Sequence, residues 1–247
     1  MSPVLTVVIA AKDPPPHLIR MCLSSFGRLS FAPNIQILIV ASGNIPPFVT
    51  NFAASFSSLT VEYMPPEGVY AAYNYGITRA VAPFICFFGV DDIALPGFDD
   101  VLKDLEMYVS DPVALIAAQS YMQNIGISKP SRWRAGILFR NWCQQGLIYK
   151  REFLRGNCFN VEYVAQADHA INIRILADKS LRVVFRPELI AYFSAGGVSQ
   201  VYHDFTFRDA LPKIADSAFG LQYGLIVRAK QLLADLIKGR RKNFRHH

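Results

Sequence analysis

The residues in this chain best suited to chemistry are carboxylates placed at the ends of apolar runs. Asp91-Asp92 follows the run Phe84 to Phe88 and precedes Ile93-Ala94-Leu95-Pro96-Gly97. Two adjacent carboxylates repel each other unless a cation or several donors compensate. Hard divalent ions such as Mg2+ or Mn2+ want this oxygen donor set, usually beside substrate phosphates. An ion held there can neutralise charge on a departing diphosphate. The same pair also reads as a helix N-cap with a solvated neighbour. Lys12-Asp13 and Ser42 follow two further apolar runs, Val4 to Ala10 and Ile35 to Val40. Asp168 precedes a helical stretch, Ala170 to Leu176, where an aspartate is a favoured helix cap.

These residues need elements to hold them. Val4 to Ala10 and Ile35 to Val40 are continuous apolar runs rich in β-branched residues, as expected of strands buried on both faces. Asp13-Pro14-Pro15-Pro16 supplies an N-cap candidate with prolines in the first turn, and Leu18, Ile19, Cys22, Leu23 and Phe26 follow at helical spacing. Thr60 to Tyr63 reads as a third strand, Tyr70 to Ala80 as a helix and Phe84 to Phe88 as a fourth strand. Alternation of this kind implies right-handed crossovers and a Rossmann-like, mainly parallel sheet flanked by helices. Ligands gather at the carboxyl ends of such strands, where Lys12, Asp13, Ser42 and Asp91-Asp92 fall. Beyond residue 120 the expected elements are a strand over Gly146 to Tyr149, a helix over Ala167 to Leu176, closing strands over Leu181 to Phe185 and Leu189 to Phe193, and an amphipathic helix from about Phe207 to Leu236.

The run Gly68-Val69-Tyr70-Ala71-Ala72-Tyr73-Asn74-Tyr75-Gly76-Ile77, then Ala80, a strand and Asp91-Asp92, resembles a pattern of family 2 glycosyltransferases with the GT-A fold. The bacterial branch that builds colanic acid, capsule and O-antigen is the most similar. Cys143-Gln144-Gln145-Gly146-Leu147-Ile148-Tyr149, Gln166-Ala167-Asp168-His169 and the segment Ser194 to Ser199 continue the likeness in order. The resemblance implies an inverting transfer from a nucleotide-diphosphate sugar to a carbohydrate or lipid-linked acceptor. It implies that Asp92 holds Mn2+ or Mg2+, and that Ala11, Lys12, Asp13, Ser42, Asn74 and Asp91 contact the donor. Asp168 becomes the general base. It further implies a catalytic domain over residues 1–200, with a donor half to residue 95 and an acceptor-side half from residue 96, followed by a helical basic extension over 201–247. Two departures stand out. After the second strand the family carries an acid that contacts the nucleobase, whereas here Val40 leads into Ala41-Ser42-Gly43-Asn44; and Gln144, which cannot titrate, stands where a histidine is usual.

Composition narrows the remaining readings. Hydrophobic residues make up 52% and charged residues 18%, yet no apolar stretch reaches the roughly 18 residues of a membrane span. The N-terminus lacks the basic region and cleavage site of a signal peptide. Cys22, Cys86, Cys143 and Cys158 show no ligand-type spacing, which favours reduced thiols in a cytoplasmic protein over a zinc site. From Arg228 onward seven basic residues stand against one acid, Asp235, so the tail carries the whole net charge of +6. With its interspersed Ile and Leu, the tail suits an interfacial helix on the anionic inner face of a plasma membrane, or a solubilising end helix. Charge confined to one tail argues against nucleic-acid binding.

Lys129, Arg132, Arg134 and Arg140 form a segment suited to a diphosphate or an anionic acceptor, or a solvated loop. His203 is a candidate late metal or diphosphate contact, or a surface histidine. His246-His247 resembles a tag remnant. Other enzyme classes with α/β logic are nucleotidyltransferases and phosphohydrolases, but no GxxxxGK loop or phosphatase-type nucleophilic aspartate accompanies the first strand. A non-catalytic nucleotide-sugar binder is the remaining alternative.

Overall fold

The computed structural model describes residues 2–194 and 203–243, with side chains described to residue 237. Gly196-Gly197-Val198-Ser199 and His246-His247 lie outside the described residues.

Four strands form a parallel block. β1 (Leu5–Ala11) lies between β2 (Ile35–Ala41) and β4 (Phe84–Gly89), and β3 (Ser58–Tyr63) flanks β2. Because side chains alternate along a strand, these runs feed two cores. Val7, Ile9, Ile37, Ile39 and Phe88 pack on one face with Ile19, Leu23 and Phe26 of α1 (Pro16–Gly27). Val8, Leu38, Val40 and Phe87 pack on the other with Tyr70, Tyr73 and Ile77 of α2 (Val69–Arg79). Each large apolar side chain buried this way stabilises the fold by about 1.5–3 kcal/mol. Gly76 lets α2 approach β1, since a Cβ there would run into the Val8 side chain.

Beyond β4 the sheet becomes mixed. Its path runs on from β4 through β8 (Leu147–Lys150), β6 (Val113–Met122) and β9 (Arg182–Phe193) to β5 (Ile93–Ala94), with β8 antiparallel to both β4 and β6. β7 (Gly126–Ser128) is a short antiparallel partner of β6, and β5 pairs with β9. α3 (Gly97–Leu105) packs beside β9. The two closing strands expected from sequence are one, β9 (Arg182–Phe193), parallel to β6. Its ladder jumps from Ala117↔Phe185 to Gln119↔Leu189, which leaves Pro187, lacking an N–H, outside the pairing.

α4 (Arg151–Arg155) and α5 (Ala167–Ala177) follow β8. The C-terminal helical run is a hairpin of two helices, α6 (Phe205–Phe219) and α7 (Leu221–Asn243). Gly220, at φ 102°, makes the break, in a backbone region that side chains rarely adopt. The hairpin joins the second core through Phe207, Ala215 and Val227. No described helix is long and apolar enough to cross a membrane.

Candidate active site

A cleft of about 430 Å³ opens at the carboxyl ends of β1, β2 and β4. It is lined by Ala11 and Lys12 after β1, Ser42 after β2, Gly89 to Asp92 after β4, and Met64 to Gly68 ahead of α2. Tyr70, Tyr73, Gln144 and Gln145 close it from the other side. Of the residues singled out from sequence, Ala11, Lys12, Ser42, Asp91 and Asp92 are therefore brought together.

Asp92 is 1% exposed. Its Oδ2 accepts from the Gly89 amide at 2.7 Å and from Gln145 Nε2 at 2.8 Å, and its Oδ1 lies 3.4 Å from the Ser194 amide. Burial pushes its pKa up to about 7, a rise that the Gly89 amide moderates and the Asp91 charge adds to. The turn is pinned from outside as well, because the Ser194 hydroxyl donates to the Asp91 carbonyl at 2.8 Å. Neither aspartate is a helix cap, since the chain passes from this turn into β5. Among the described residues nothing donates a hydrogen bond to the Asp91 carboxylate, and Lys12 has no ion pair. Gln144 Nε2 is buried without a partner among the described residues. The cleft thus presents a free carboxylate, an unpaired ammonium and an unsatisfied amide donor, groups that a polar ligand would complete.

Asp13 departs from its expected place. It is exposed, adopts φ 42°, and its Oδ1 accepts the Asn44 amide at 2.8 Å, so it ties the β1 loop to the β2 loop rather than lining the cleft. It does not cap α1 either, whose N-cap is Pro15 with no side-chain hydrogen bond. Asn74 also stays out of the cleft. Its Nδ2 donates to the Phe159 carbonyl at 2.8 Å and its Oδ1 accepts the Phe159 amide at 2.9 Å, which commits both polar ends to backbone.

Asp168 is 5% exposed and lies behind the cleft wall. The Tyr70 hydroxyl donates to its Oδ1 at 2.7 Å, and Asn141 Nδ2 donates to its Oδ2 at 2.7 Å. Asn172 and Tyr149 extend this network inward, through Asn172 Nδ2 to Asn141 Oδ1 and the Tyr149 hydroxyl to Asn172 Oδ1. Burial holds the Asp168 carboxyl above the usual carboxylate range, with the Tyr70 and Asn141 donors opposing the rise. Asp168 is not the cap of α5, because Gln166 occupies that position. Since Tyr70 lines the cleft and touches Asp168, its hydroxyl is the link between the two.

Three further residues escape the sequence reading. Gln145 holds Asp92, and Asn141 holds Asp168. Asp204 caps α6 through Oδ1 to the Phe207 amide at 2.9 Å, while its Oδ2 accepts the amides of Ala165 and Gln166 at 2.9 and 3.1 Å just ahead of α5. Asp204 had a local signal, an aspartate immediately before a helix. The other two had none, because their partners are distant in sequence.

The basic segment takes a structural part. Arg134 donates to the carbonyls of Leu176 and Asp178 at 2.6 and 2.7 Å, satisfying the end of α5, and Arg132 sits over the Phe185 ring. His203 is exposed and lines a separate cavity between the hairpin and the body, away from the carboxylate pair. The four cysteines are free thiols.

No protein-family model matches the chain. Over 205 residues it is 26% identical to the PGL/p-HBAD biosynthesis glycosyltransferase of Mycobacterium bovis BCG, covering 77% of each chain, and it matches the Mycobacterium tuberculosis counterpart to the same extent. Among solved structures, Staphylococcus aureus TarS residues 1–349 in complex with UDP-GlcNAc superposes with a TM-score of 0.71 at 14% identity, covering 94% of this chain and 72% of that one. A longer TarS structure gives 0.70, and this chain spans 43% of its length. The mannosyltransferase PcManGT of Pyrobaculum calidifontis, in complex with GDP-Man and Mn2+, gives 0.57 at 15% identity, covering 99% of this chain and 81% of that one. The chain is similar in sequence to mycobacterial glycosyltransferases and shares the mixed α/β fold of TarS and PcManGT.

Proposed function

We propose that this chain is an inverting glycosyltransferase of the family 2 type, moving a hexose from a nucleotide-diphosphate sugar onto a carbohydrate or lipid-linked acceptor in bacterial surface polysaccharide synthesis. The observation that carries this reading is the convergence of Lys12, Ser42, the Asp91-Asp92 pair and Gln144 on one cleft at the carboxyl ends of parallel strands. The mycobacterial relatives named as glycosyltransferases support it, as do the complexes of TarS with UDP-GlcNAc and of PcManGT with GDP-Man.

In this reading Lys12 binds the diphosphate, Ser42 and Asp91 orient the nucleoside, and the Gln144 amide donates to a donor oxygen. Asp92, with Asp91 beside it, would hold Mn2+ or Mg2+. The fit rests on the donor set, which pairs a buried carboxylate at the strand end with a neighbouring carboxylate that accepts no hydrogen bond from the described residues. Among the described residues no group of three or more His, Cys, Asp or Glu side chains gathers. One or two carboxylates completed by substrate phosphates are an ordinary set for Mg2+. When bound, the ion would offset negative charge on the departing diphosphate.

Asp168 is the general base of the proposed reaction. As Tyr70 stands between it and the cleft, the acceptor hydroxyl gives its proton to the Tyr70 oxygen while Tyr70 passes its own proton to Asp168 Oδ1. The anomeric C–O bond to the diphosphate breaks as the bond to the acceptor oxygen forms on the opposite face.

A thermal-shift panel of UDP, GDP and other nucleoside diphosphates, with and without Mn2+, tests the reading first. One nucleotide should raise the melting temperature only when metal is present. If none does, the nucleotide-sugar assignment fails. Release of inorganic phosphate in place of nucleoside diphosphate during turnover would move the chain to the phosphohydrolases.

A further inference from the structure

The outer side of α7 carries a run of large apolar side chains that the described structure leaves exposed. Leu221, Leu225, Ile226, Leu232, Leu233, Leu236 and Ile237 are 48–73% exposed. Their spacing of three, four and seven residues places them on one broad stripe of the helix. The opposite side is already engaged. Val227 is buried in the second core, Gln231 Nε2 donates to the Arg208 carbonyl at 2.7 Å, Arg228 pairs with Asp216 at 2.9 Å, and Asp235 pairs with Arg208 at 2.5 Å. The helix is therefore held in a fixed orientation, with its apolar stripe turned away from the body. Exposed apolar patches of this extent mark interaction sites on folded proteins.

We infer that this face docks on an anionic lipid bilayer, with α7 lying in the interface plane. Charge complementarity selects this occupant. The only acid from Leu221 to the C-terminus, Asp235, is paired with Arg208, and the sequence after Ile237 adds Lys238, Arg240, Arg241, Lys242 and Arg245 with no acid. A second copy would meet the face with the same leucines and the same cations and would supply no free carboxylate. A bilayer with anionic headgroups supplies both an apolar layer and negative charge. α7 is too polar to span a membrane, so it lies on the surface. The anchoring face begins at Leu221, ahead of the basic tail, and its grip on the body makes this a docking of the whole molecule rather than a flexible tether. The inference is independent of the sugar-transfer reading.

Flotation of the full chain with phosphatidylcholine vesicles containing about one third phosphatidylglycerol, against phosphatidylcholine alone, is the test. The wild type should float with the anionic vesicles, less so at high salt and much less with the neutral ones. The triple variant Leu225→Glu/Leu232→Glu/Leu236→Glu should lose at least about tenfold in partitioning while keeping its melting temperature. If the triple variant unfolds, the single variant Leu236→Glu is measured in its place and should still weaken partitioning. Failure of the wild type to float, equal binding to neutral vesicles, or undiminished binding of the folded variant overturns the proposal. A wild-type dimer that becomes monomeric in the variant, with no vesicle binding by either, assigns the face to self-association instead.

Discussion

Asp92 stands at the end of β4 on the cleft surface, with the free Asp91 carboxylate beside it. Asp168 stands on α5 behind Tyr70, with each of its oxygens taken by a neutral donor. Both carboxyls are raised by burial. In the Asp92 region the Gly89 and Ser194 amides and Gln145 Nε2 reach that carboxylate, but the chain adds a second negative group, Asp91, that no described residue compensates. In the Asp168 region it completes the shell from within and leaves one hydroxyl between the carboxylate and the cleft. On the proposed reading, the first arrangement suits a cation and the second a proton.

The largest effect expected is on Asp168. Asp168→Asn retains a partner for each neighbour, since the Tyr70 hydroxyl can accept from the new amide while Asn141 still donates to its oxygen. Stability should stay near that of the wild type while transfer falls about 10²–10⁴-fold, the usual worth of a general base. Turnover rate measured beside melting temperature decides it, and an unchanged rate removes Asp168 from the mechanism.

Asp92→Asn comes next, with transfer falling about 10²–10³-fold as charge stabilisation is lost. The stabilisation of the protein by Mn2+ with nucleoside diphosphate should vanish too, and retention of wild-type manganese dependence would refute the metal assignment. Asp92 also sets a pH signature. Its folded pKa is raised from near 4 to about 7, so the stability it contributes is present below the lower value and is lost as pH rises through the upper one. The metal-free protein should lose melting temperature across that window, and Asp92→Asn should flatten the loss. Metal stabilisation should run the other way, weak at pH 5.5 and strong at pH 8, because the ligand has to be ionised.

Tyr70→Phe removes the link between the two regions. Because the proposed proton path runs through this hydroxyl, its loss should slow transfer at least about 10²-fold, the lower end of what a general base is worth. It also withdraws a donor that lowers the Asp168 pKa, so the acid limb of the pH–rate profile should move to higher pH. A profile that does not move would separate Tyr70 from proton transfer. The smallest effect on rate is expected from Asn74→Ala. It leaves the Phe159 amide and carbonyl unpaired at a cost of about 1–3 kcal/mol, read as a lower melting temperature. Nucleotide affinity should be unchanged, and a selective loss of affinity would return Asn74 to the donor site.

The parallel half was legible in the sequence for a local reason. β1, β2 and β4 are continuous apolar runs covered on both faces, and the polar residues that follow them necessarily lie at one edge of the sheet. Strand β6 was not legible, because three alanines in Val113–Met122 weaken the strand signal of a segment that sits between β8 and β9. The position of Asp91-Asp92 offered a metal site and a helix N-cap alike, and only the resemblance favoured the metal. Asp168 emerged only through resemblance, and its burial beneath Tyr70, 98 residues away in sequence, has no local signature. Asp13 was misassigned because an aspartate before three prolines looks like a cap, while the left-handed turn it adopts aims its carboxylate at Asn44. Gln145 stayed hidden beside Gln144, since nothing in a glutamine pair tells which one faces a carboxylate.

Asp204 joins two structures that could otherwise open separately. One carboxylate holds the first turn of α6 and, through its other oxygen, the backbone just ahead of α5. The Phe207 amide would stay with Asp204 when the hairpin separates from the body, but the Ala165 and Gln166 amides would be released together. These two amides therefore belong to one cooperative opening unit and should exchange with solvent hydrogen at a common opening free energy. Because the chain runs from the Asp204-held backbone directly into Asp168, the proposed base sits at the seam of that unit, and any opening of the hairpin would free the backbone that carries it.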